Sequence, residues 1–145
     1  MVNNLFLNIC MFIIGHLLGA FAIYFNHRFV LHGKLGKLPI LRKTMIMHGL
    51  HHAHSYTDDC LDYIDIPLWG WVGLLSVSAI VTYISIPVGL GLLSLWGYYE
   101  IVHRYIHFQG KDGKFGKHHR KHHEKPSVNF SGVHPWIDNL FNTAE

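Results

Sequence analysis

The chain has 145 residues, the length of one small domain. Half of the residues are hydrophobic and only 14% are charged, well below the roughly 25% usual for soluble domains, which argues against both disorder and an ordinary water-soluble globule. Two cysteines, Cys10 and Cys60, are too few for a disulfide framework or a thiolate zinc site. Histidine supplies 14 residues, and the formal net charge is +3. Along the chain, apolar blocks alternate with basic, histidine-rich blocks.

The apolar blocks predict membrane-spanning helices. Residues 5–25 contain no Asp, Glu, Lys or Arg and match the ~20 residues that cross a bilayer as a helix. Residues 66–102 are too long for one span, and the Ser-Ile-Pro step at 85–87 divides them into helices at about 66–85 and 88–102. A cleaved signal peptide is the alternative for the first block, and a buried soluble hairpin is the alternative for the second.

The positive charges predict how these spans are oriented. All twelve Lys and Arg residues follow the first or the last span, and short basic segments remain on the cytoplasmic side. We therefore expect an all-α fold, an integral membrane helical bundle of about three transmembrane helices with a cytosolic helical cap. Residues 1–145 form one such domain, with histidine-bearing cytosolic segments at 26–63 and 103–145. Because the basic patch then lies against a bilayer, nucleic-acid binding is not expected.

Ten histidines form two parallel sets, which begin with a pair five residues apart at 27–32 and four apart at 103–107. Each set begins where an apolar helix ends, and each closes with an HxxHH pattern, at 48–52 and at 119–123. Since residues three and four apart lie on one helical face, a helix over Arg42–His54 brings the first pattern together. His27 and His32 are five apart, about 140° around an ideal helix, so they share a site only if the helix ends or distorts there, which Gly33 allows. The ten histidines are His27, His32, His48, His51, His52, His103, His107, His119, His122 and His123.

This pattern predicts a metal centre on the cytosolic side. Imidazole suits iron, copper, nickel and zinc, and ten imidazoles are too many for one ion but give about five nitrogens to each of two. Carboxylates nearby fit a second sphere that orients the imidazole N–H groups. The candidates are Glu100 and Asp138, together with Asp58, Asp59 and Asp62.

Four histidines lie outside the ten. His16 is within the first span, where small residues let another helix approach closely, and we expect it to pack against such a helix. These small residues are Gly15, Gly19 and Ala20. His54, His118 and His134 lie beside the motifs as candidate ligands or spares. A metal store or transporter is the rival to a catalytic centre, but it predicts metal-binding groups across the spans, where His16 stands alone.

The motifs resemble those of the fatty acid hydroxylase superfamily, the membrane-bound non-haem di-iron enzymes that include sterol desaturases. The runs that carry the resemblance are HRFVLH at 27–32, MHGLHH at 47–52, HRYIH at 103–107, HRKHH at 119–123, NFSG at 129–132 and LFNT at 140–143. Four histidine motifs occur in family order between membrane spans, over nearly the whole chain. HRFVLH and the MHGLHHAH run look most like the fatty acid 2-hydroxylase branch.

The resemblance implies that the ten histidines hold two iron ions, with zinc as a substitute in a purified sample, and that O2 is the co-substrate. The implied reaction is hydroxylation of a C–H bond of a lipid, most plausibly a fatty acyl or sphingolipid chain. A lipid or sterol desaturase with the same site and a non-catalytic metal-handling membrane protein are the alternatives. The implied partners are a lipid substrate and a separate electron donor, such as a b-type cytochrome or a reductase. The implied location is the endoplasmic reticulum in a eukaryote or the inner membrane in a bacterium.

The chain departs from the family pattern in its closing segment and its spans. Ser131 stands where the family usually has glycine, and Ile137 separates Trp136 from Asp138, which are typically adjacent. Family members usually have four spans, whereas three are predicted here. We also expect an acyl chain to reach the metal centre along a groove lined by aromatic side chains. The candidates for this groove are Phe21, Trp69, Trp71 and Trp96.

Overall fold

The computed structural model describes residues 2–57, 66–110 and 112–145, and in these ranges it contains helices and no strand. The α-helices are α1 (Val2–Phe25), α2 (Arg42–His54), α3 (Leu68–Ile84), α4 (Ile86–Phe108), α5 (Lys114–Glu124) and α6 (Pro135–Leu140). A π-helical segment, Asn26–Leu31, continues α1, and a 3₁₀ turn, Lys34–Lys37, precedes α2. The all-α prediction is confirmed, and the helix predicted over Arg42–His54 has those bounds.

The described residues divide into two compact units. The apolar unit contains the chain up to Ala20 and the range Ile66–Glu100, and thus most of α1, all of α3 and most of α4. The histidine unit contains the described parts of Phe21–Asp65 and Ile101–Glu145. All ten motif histidines belong to the histidine unit.

The apolar unit is built on close contact between α1 and α4. A Cβ added at Gly15 would lie 2.1 Å from the Val88 carbonyl oxygen, and one added at Gly91 would lie 2.0 Å from the Phe12 carbonyl oxygen. His16 Nδ1 and Ser94 Oγ are 2.9 Å apart, so His16 packs against another helix as the sequence predicts. Glycines allow this approach because they place no side chain between the two backbones.

The turn between α3 and α4 is shorter than the sequence predicts. Ser85 is extended, with φ −152° and ψ 107°, and α4 begins at Ile86 rather than at 88. Pro87 is accommodated because the first turn of a helix needs no backbone N–H donor from it. The chain therefore reverses at the predicted step, with Ser85 alone between the two helices.

Within the part of the chain that the structure describes, one helix is long and apolar enough to cross a membrane by length and composition, the continuous stretch Asn4–Leu31. Leu68–Ile84 is apolar but shorter. Many large apolar side chains of α1 and α3 are exposed in this chain, including Phe6, Leu18 and Ile80, as expected for surfaces that face lipid. The first predicted span is therefore supported, while three spans and a cytosolic cap stay predictions.

In the histidine unit, the π-helical segment explains how His27 and His32 share a site. The His32 backbone N–H donates to the His27 carbonyl oxygen over 3.0 Å, which is the i to i+5 bond of a π-helix. The helix distortion predicted before Gly33 is thus a widened, π-helical turn, which brings the imidazoles of His27 and His32 to the same side. Gly33 then lets the chain fold back, because a Cβ there would lie 2.3 Å from the Phe29 carbonyl oxygen.

Candidate metal centre

Five of the ten histidines form the first histidine group. It draws on the π-helical segment and the residue after it, on α2 and on α5. The members are His27, His32, His48, His52 and His122, and one ring nitrogen from each lies within 4.8 Å of every other. The Nε2 atom of His32 is 2.8 Å from that of His48, 3.1 Å from that of His122 and 3.2 Å from that of His27.

The second histidine group draws on α2, α4 and α5. Its members are His51, His103, His107 and His119, again with one ring nitrogen each within 4.8 Å of the others. All four are buried. His119 Nε2 lies 3.1 Å from His103 Nε2 and 3.0 Å from His107 Nε2. His123 adjoins this group, with its Nε2 2.9 Å from that of His119.

These separations fit nitrogen ligands around a metal ion. A metal–nitrogen bond of about 2.1 Å places two ligands at right angles about 3 Å apart. The Nε2 atoms in both groups are spaced by 2.8 to 3.2 Å. Protons bridge nitrogens only in pairs, whereas His32 Nε2 has three such neighbours. Each group therefore has the spacing of a site that could hold a metal ion.

Backbone carbonyls of the closing segment, residues 128–143, orient two histidines of the first group. His27 Nδ1 is 2.5 Å from the Phe130 carbonyl oxygen, and His122 Nδ1 is 2.7 Å from that of Val128. A carbonyl oxygen only accepts, so each Nδ1 carries the proton and each Nε2 has a free lone pair. Two such lone pairs facing one point repel unless a cation lies between them. The hydrogen bonds therefore set the tautomer that metal binding requires.

Asp138 holds this closing segment in place. Its buried carboxylate accepts the Phe130 N–H over 2.7 Å, the Ser131 N–H over 3.0 Å, the Thr143 hydroxyl over 2.8 Å and His118 Nε2–H over 3.0 Å. The Ser131 hydroxyl is a fifth donor. Burial raises the pKa of Asp138, but the hydrogen bonds from His118, Ser131 and Thr143 outweigh burial and lower it overall. The carboxylate stays ionised and fixes the backbone that carries the Phe130 carbonyl.

The same carboxylate is connected to the π-helical segment by a chain of donors. Arg28 Nη1 donates to the Tyr24 hydroxyl over 2.7 Å. The Tyr24 hydroxyl is 3.1 Å from Thr143 Oγ1, whose proton goes to Asp138, so tyrosine is the donor in that pair. Tyr24 is fully buried and stacks on Phe141, with ring centroids 4.8 Å apart. The closing segment and the segment that carries His27 are thus fixed to each other.

Ser55 plays the corresponding part for the second group. Its carbonyl oxygen is 3.3 Å from His107 Nδ1, and its hydroxyl oxygen is 2.9 Å from His123 Nδ1. The hydroxyl also donates to the His51 carbonyl oxygen. Ser55 lies directly after α2, where the helix ends. A single residue therefore contacts three of the motif histidines.

Burial keeps the imidazoles neutral, as metal ligands must be. It lowers the pKa of His32 to about 4 and that of His52 to about 3, and the electrostatic interaction with His122 lowers both further. Burial also lowers the pKa of His48 and His119 well below the usual value, and neighbouring histidines add to the effect. At neutral pH these ligands need to release no proton before they bind a cation.

A model of the fatty acid hydroxylase family matches residues 12–143, a range that includes every residue of both groups. The chain belongs to this family. No curated protein and no solved structure matches it. Membership indicates a membrane-associated lipid oxidoreductase of the hydroxylase or desaturase type with a histidine-rich metal site. The match does not distinguish the fatty acid 2-hydroxylase branch.

The structure of this fatty acid hydroxylase family member places the remaining candidates as follows. Asp138 contacts none of the ten histidines by hydrogen bond and acts instead through backbone and His118. Glu100 belongs to the apolar unit, and its second-sphere role stays a prediction. Among the described residues, His54 and His134 enter neither group. Asp58, Asp59 and Asp62 lie outside the described residues.

Sequence reasoning missed the residues that orient the imidazoles. Phe130 and Val128 act through carbonyl oxygens, which any residue type supplies, so no side-chain pattern reveals them. Asn129 belongs to the NFSG motif, and it has a left-handed φ of 56° and an amide that donates to the His118 carbonyl oxygen over 3.0 Å. Ser55 had a usable signal, because it follows His51 by one helical turn.

The predicted aromatic groove stays a prediction. Of its four candidates, Trp96 is buried and donates its indole N–H to Ser78 Oγ over 3.2 Å. Phe21 packs edge-on against Trp136, with centroids 5.6 Å apart. An open cavity of about 580 Å³ lies beside His32 of the first group. Its lining residues are Arg28, Phe29, His32, Pro126, Ser127 and Phe130.

Proposed function

We propose that this protein is a membrane-bound, O2-dependent di-iron oxidoreductase that hydroxylates a C–H bond of a lipid, namely a fatty acyl or sphingolipid chain. The observation that carries the proposal is the convergence of the motif histidines into two groups with nitrogen spacings near 3 Å. Membership of the fatty acid hydroxylase family supports a lipid as substrate and iron as the working metal. Imidazole nitrogens without a hard-oxygen shell favour a transition metal over magnesium or calcium.

The ten histidines divide between the two ions. The first group supplies five nitrogens, and the second supplies four, with His123 as the fifth. When bound, iron supplies the redox chemistry with O2 that no side chain of this protein performs. The reaction inserts one oxygen atom into the C–H bond and releases the other as water, with two electrons and two protons from a separate donor. A b-type cytochrome or a reductase is the proposed donor.

The protein's own residues orient the ligands and limit access to them. The Val128 and Phe130 carbonyls hold His122 and His27 in the metal-binding tautomer, and Ser55 does so for His107 and His123. Burial of the second group keeps water from it, since all four of its members are buried. The first group is reached from the cavity beside His32, where Phe29 and Phe130 offer apolar surface to a lipid. We propose this cavity as the place where the reacting carbon lies.

The apolar stretch Asn4–Leu31 supports a membrane location, because it ends in the segment that carries His27. A lipid that remains in the bilayer would then need to move only a short distance to reach the first group. The basic segments support a site on the cytoplasmic side of the endoplasmic reticulum or the bacterial inner membrane, where soluble donors would deliver electrons. A desaturase would use the same ligands, so the product decides between the two reactions.

The test is expression in membranes together with an electron donor, followed by metal analysis and lipid mass spectrometry. Wild type is expected to bind two irons per chain and to form lipids heavier by one oxygen atom. His122→Ala removes a ligand of the first group and is expected to abolish the product. His54→Ala is the matched control, because His54 lies in α2 but in neither group.

Each alternative has its own outcome. Loss of two hydrogens in place of a gain of one oxygen identifies a desaturase. Metal loading with no lipid change, in the presence of a competent reductase, identifies a metal-handling protein. Fewer than two ions per folded, fully loaded chain contradicts the dimetal assignment.

A further inference from the structure

His123 adjoins the second group without belonging to it. It is not among the four residues whose nitrogens all lie within 4.8 Å of one another in the second group. Its Nε2 lies 2.9 Å from His119 Nε2 in the second group. Its ring centroid is 4.2 Å from that of His52, a member of the first group. A small rotation of this ring would move Nε2 away from the second group. Something must therefore fix the ring if His123 is to serve as a ligand.

The Ser55 hydroxyl supplies that constraint. A serine hydroxyl has one proton, and here the proton goes to the His51 carbonyl oxygen. The hydroxyl oxygen must therefore accept from His123 Nδ1, which lies 2.9 Å away. With its proton on Nδ1, His123 presents an unprotonated Nε2 toward His119. Ser55 is 3% exposed, so water competes little for this bond.

A comparison within the chain separates this role from an ordinary helix contact. Ser76 in α3 also donates to the carbonyl oxygen four residues earlier, that of Val72, over 2.7 Å. Ser76 is exposed, and no imidazole is bonded to its hydroxyl. The bond to the preceding turn is thus common to both serines, and the contact with His123 is what distinguishes Ser55.

We propose that Ser55 is a positioning residue that holds His123 as the fifth nitrogen ligand of the second ion. The proposal rests on the proposed function, because it assumes that the second group binds an ion. In this proposal the two polar groups of Ser55 have different roles. The backbone carbonyl orients His107, and the side-chain hydroxyl orients His123. Substitution of the side chain removes only the second of these contacts.

The experiment measures the affinity for the second ion in purified full-length protein. Zn²⁺ is titrated against a chelator, and Co²⁺ absorption reports the coordination number. Loss of a partner that orients a metal ligand typically weakens binding about 10–100-fold. We expect Ser55→Ala to lower the affinity for the second ion by that factor and to leave the affinity for the first ion unchanged. Ser55→Thr, which keeps a hydroxyl, should retain most of the affinity for the second ion. Ser76→Ala is the matched control and is expected to bind both ions as wild type does.

A double-mutant cycle decides whether Ser55 acts through His123. If it does, Ser55→Ala has no further effect in a His123→Ala background. Additive losses, equal weakening of both ions, or wild-type affinity in Ser55→Ala would each overturn the proposal. If Ser55→Ala does not fold, Ser55→Cys serves in its place, because a thiol is a much weaker acceptor of similar shape. Wild type that binds no second ion contradicts the proposed function instead, so the two failures are distinguishable.

Discussion

The two compact units are stabilised in different ways. In the apolar unit, α1 and α4 approach until glycine backbones touch, at Gly15 against Val88 and at Gly91 against Phe12. In the histidine unit, a buried carboxylate accepts five hydrogen bonds, and carbonyl or hydroxyl oxygens orient the imidazoles. Close packing of apolar helices is not directional at single atoms, whereas hydrogen bonds fix the angle of each ring. Only the second kind of contact can hold metal ligands in one geometry.

This difference predicts where each unit is sensitive to substitution. The apolar unit should tolerate the loss of a polar contact and fail when extra volume is added between its helices. The histidine unit should show the opposite behaviour, because each buried donor left without an acceptor costs about 1–3 kcal/mol. Three substitutions test the contrast, beginning with the largest expected effect.

Asp138→Asn should produce the largest loss of stability. The substitution removes the charge that five donors share and places an NH2 group against backbone N–H groups. We expect about 3 kcal/mol less free energy of unfolding, the lower end of the loss when one partner of a buried charged contact is removed. Metal analysis should also show that the first ion is lost before the second, because the Phe130 carbonyl would no longer hold His27.

Asp112→Asn is the matched control for Asp138. Asp112 pairs with Arg120 over 3.1 Å, but 78% of its side chain is exposed. Exposed ion pairs contribute about 0–1 kcal/mol, so denaturant titration in detergent should show little change. Equal losses in the two variants would mean that the five hydrogen bonds to Asp138 contribute no more than an exposed ion pair, and the contrast between the units would not hold.

Gly91→Ala should destabilise the apolar unit through volume alone. Its added Cβ would lie 2.0 Å from the Phe12 carbonyl oxygen, too close for any van der Waals contact. We expect α1 and α4 to separate at a cost of about 2 kcal/mol, measured as a lower unfolding midpoint in micelles. Gly97→Ala on the same helix is the control, because nothing lies within 4 Å of the added Cβ. Helix propensity alone favours Ala over Gly, so a similar loss in both variants would show that the close contact with Phe12 is not the cause.

The sequence predicts which histidines share a helical face better than it predicts which group each imidazole joins. Helical periodicity brings His48, His51 and His52 to one side of α2, and the structure has that helix at the predicted residues. It does not predict that adjacent histidines separate, with His51 in the second group and His52 in the first. Neighbours in a helix point about 100° apart, so one helix can serve two ions. Which ion each serves depends on the other helices, and that information lies in tertiary packing.

The orientation of the rings was also beyond sequence reasoning. The sequence predicts that Asp138 orients imidazole N–H groups; in the structure its carboxylate accepts from His118, which is in neither group, and from the backbone that carries the Phe130 carbonyl. A carboxylate can be recognised from its residue type, but its partners depend on how the closing segment folds. The left-handed conformation of Asn129, with φ 56°, sets that fold and has no unique sequence signature. Residue type therefore predicts which chemistry is present, and backbone geometry decides what it touches.

Ser94→Ala should have the smallest effect of the three. Ser94 donates to the Gly91 carbonyl oxygen over 2.7 Å and so accepts from His16 Nδ1, a polar contact inside the apolar unit. Side-chain hydrogen bonds between membrane helices average about 0.6 kcal/mol, since each partner finds other partners after the helices separate. We expect a loss of that size in the free energy of unfolding and no change in metal content. A loss as large as that of Asp138→Asn would show that directional polar contacts stabilise the apolar unit too, and the proposed division between the two units would then be wrong.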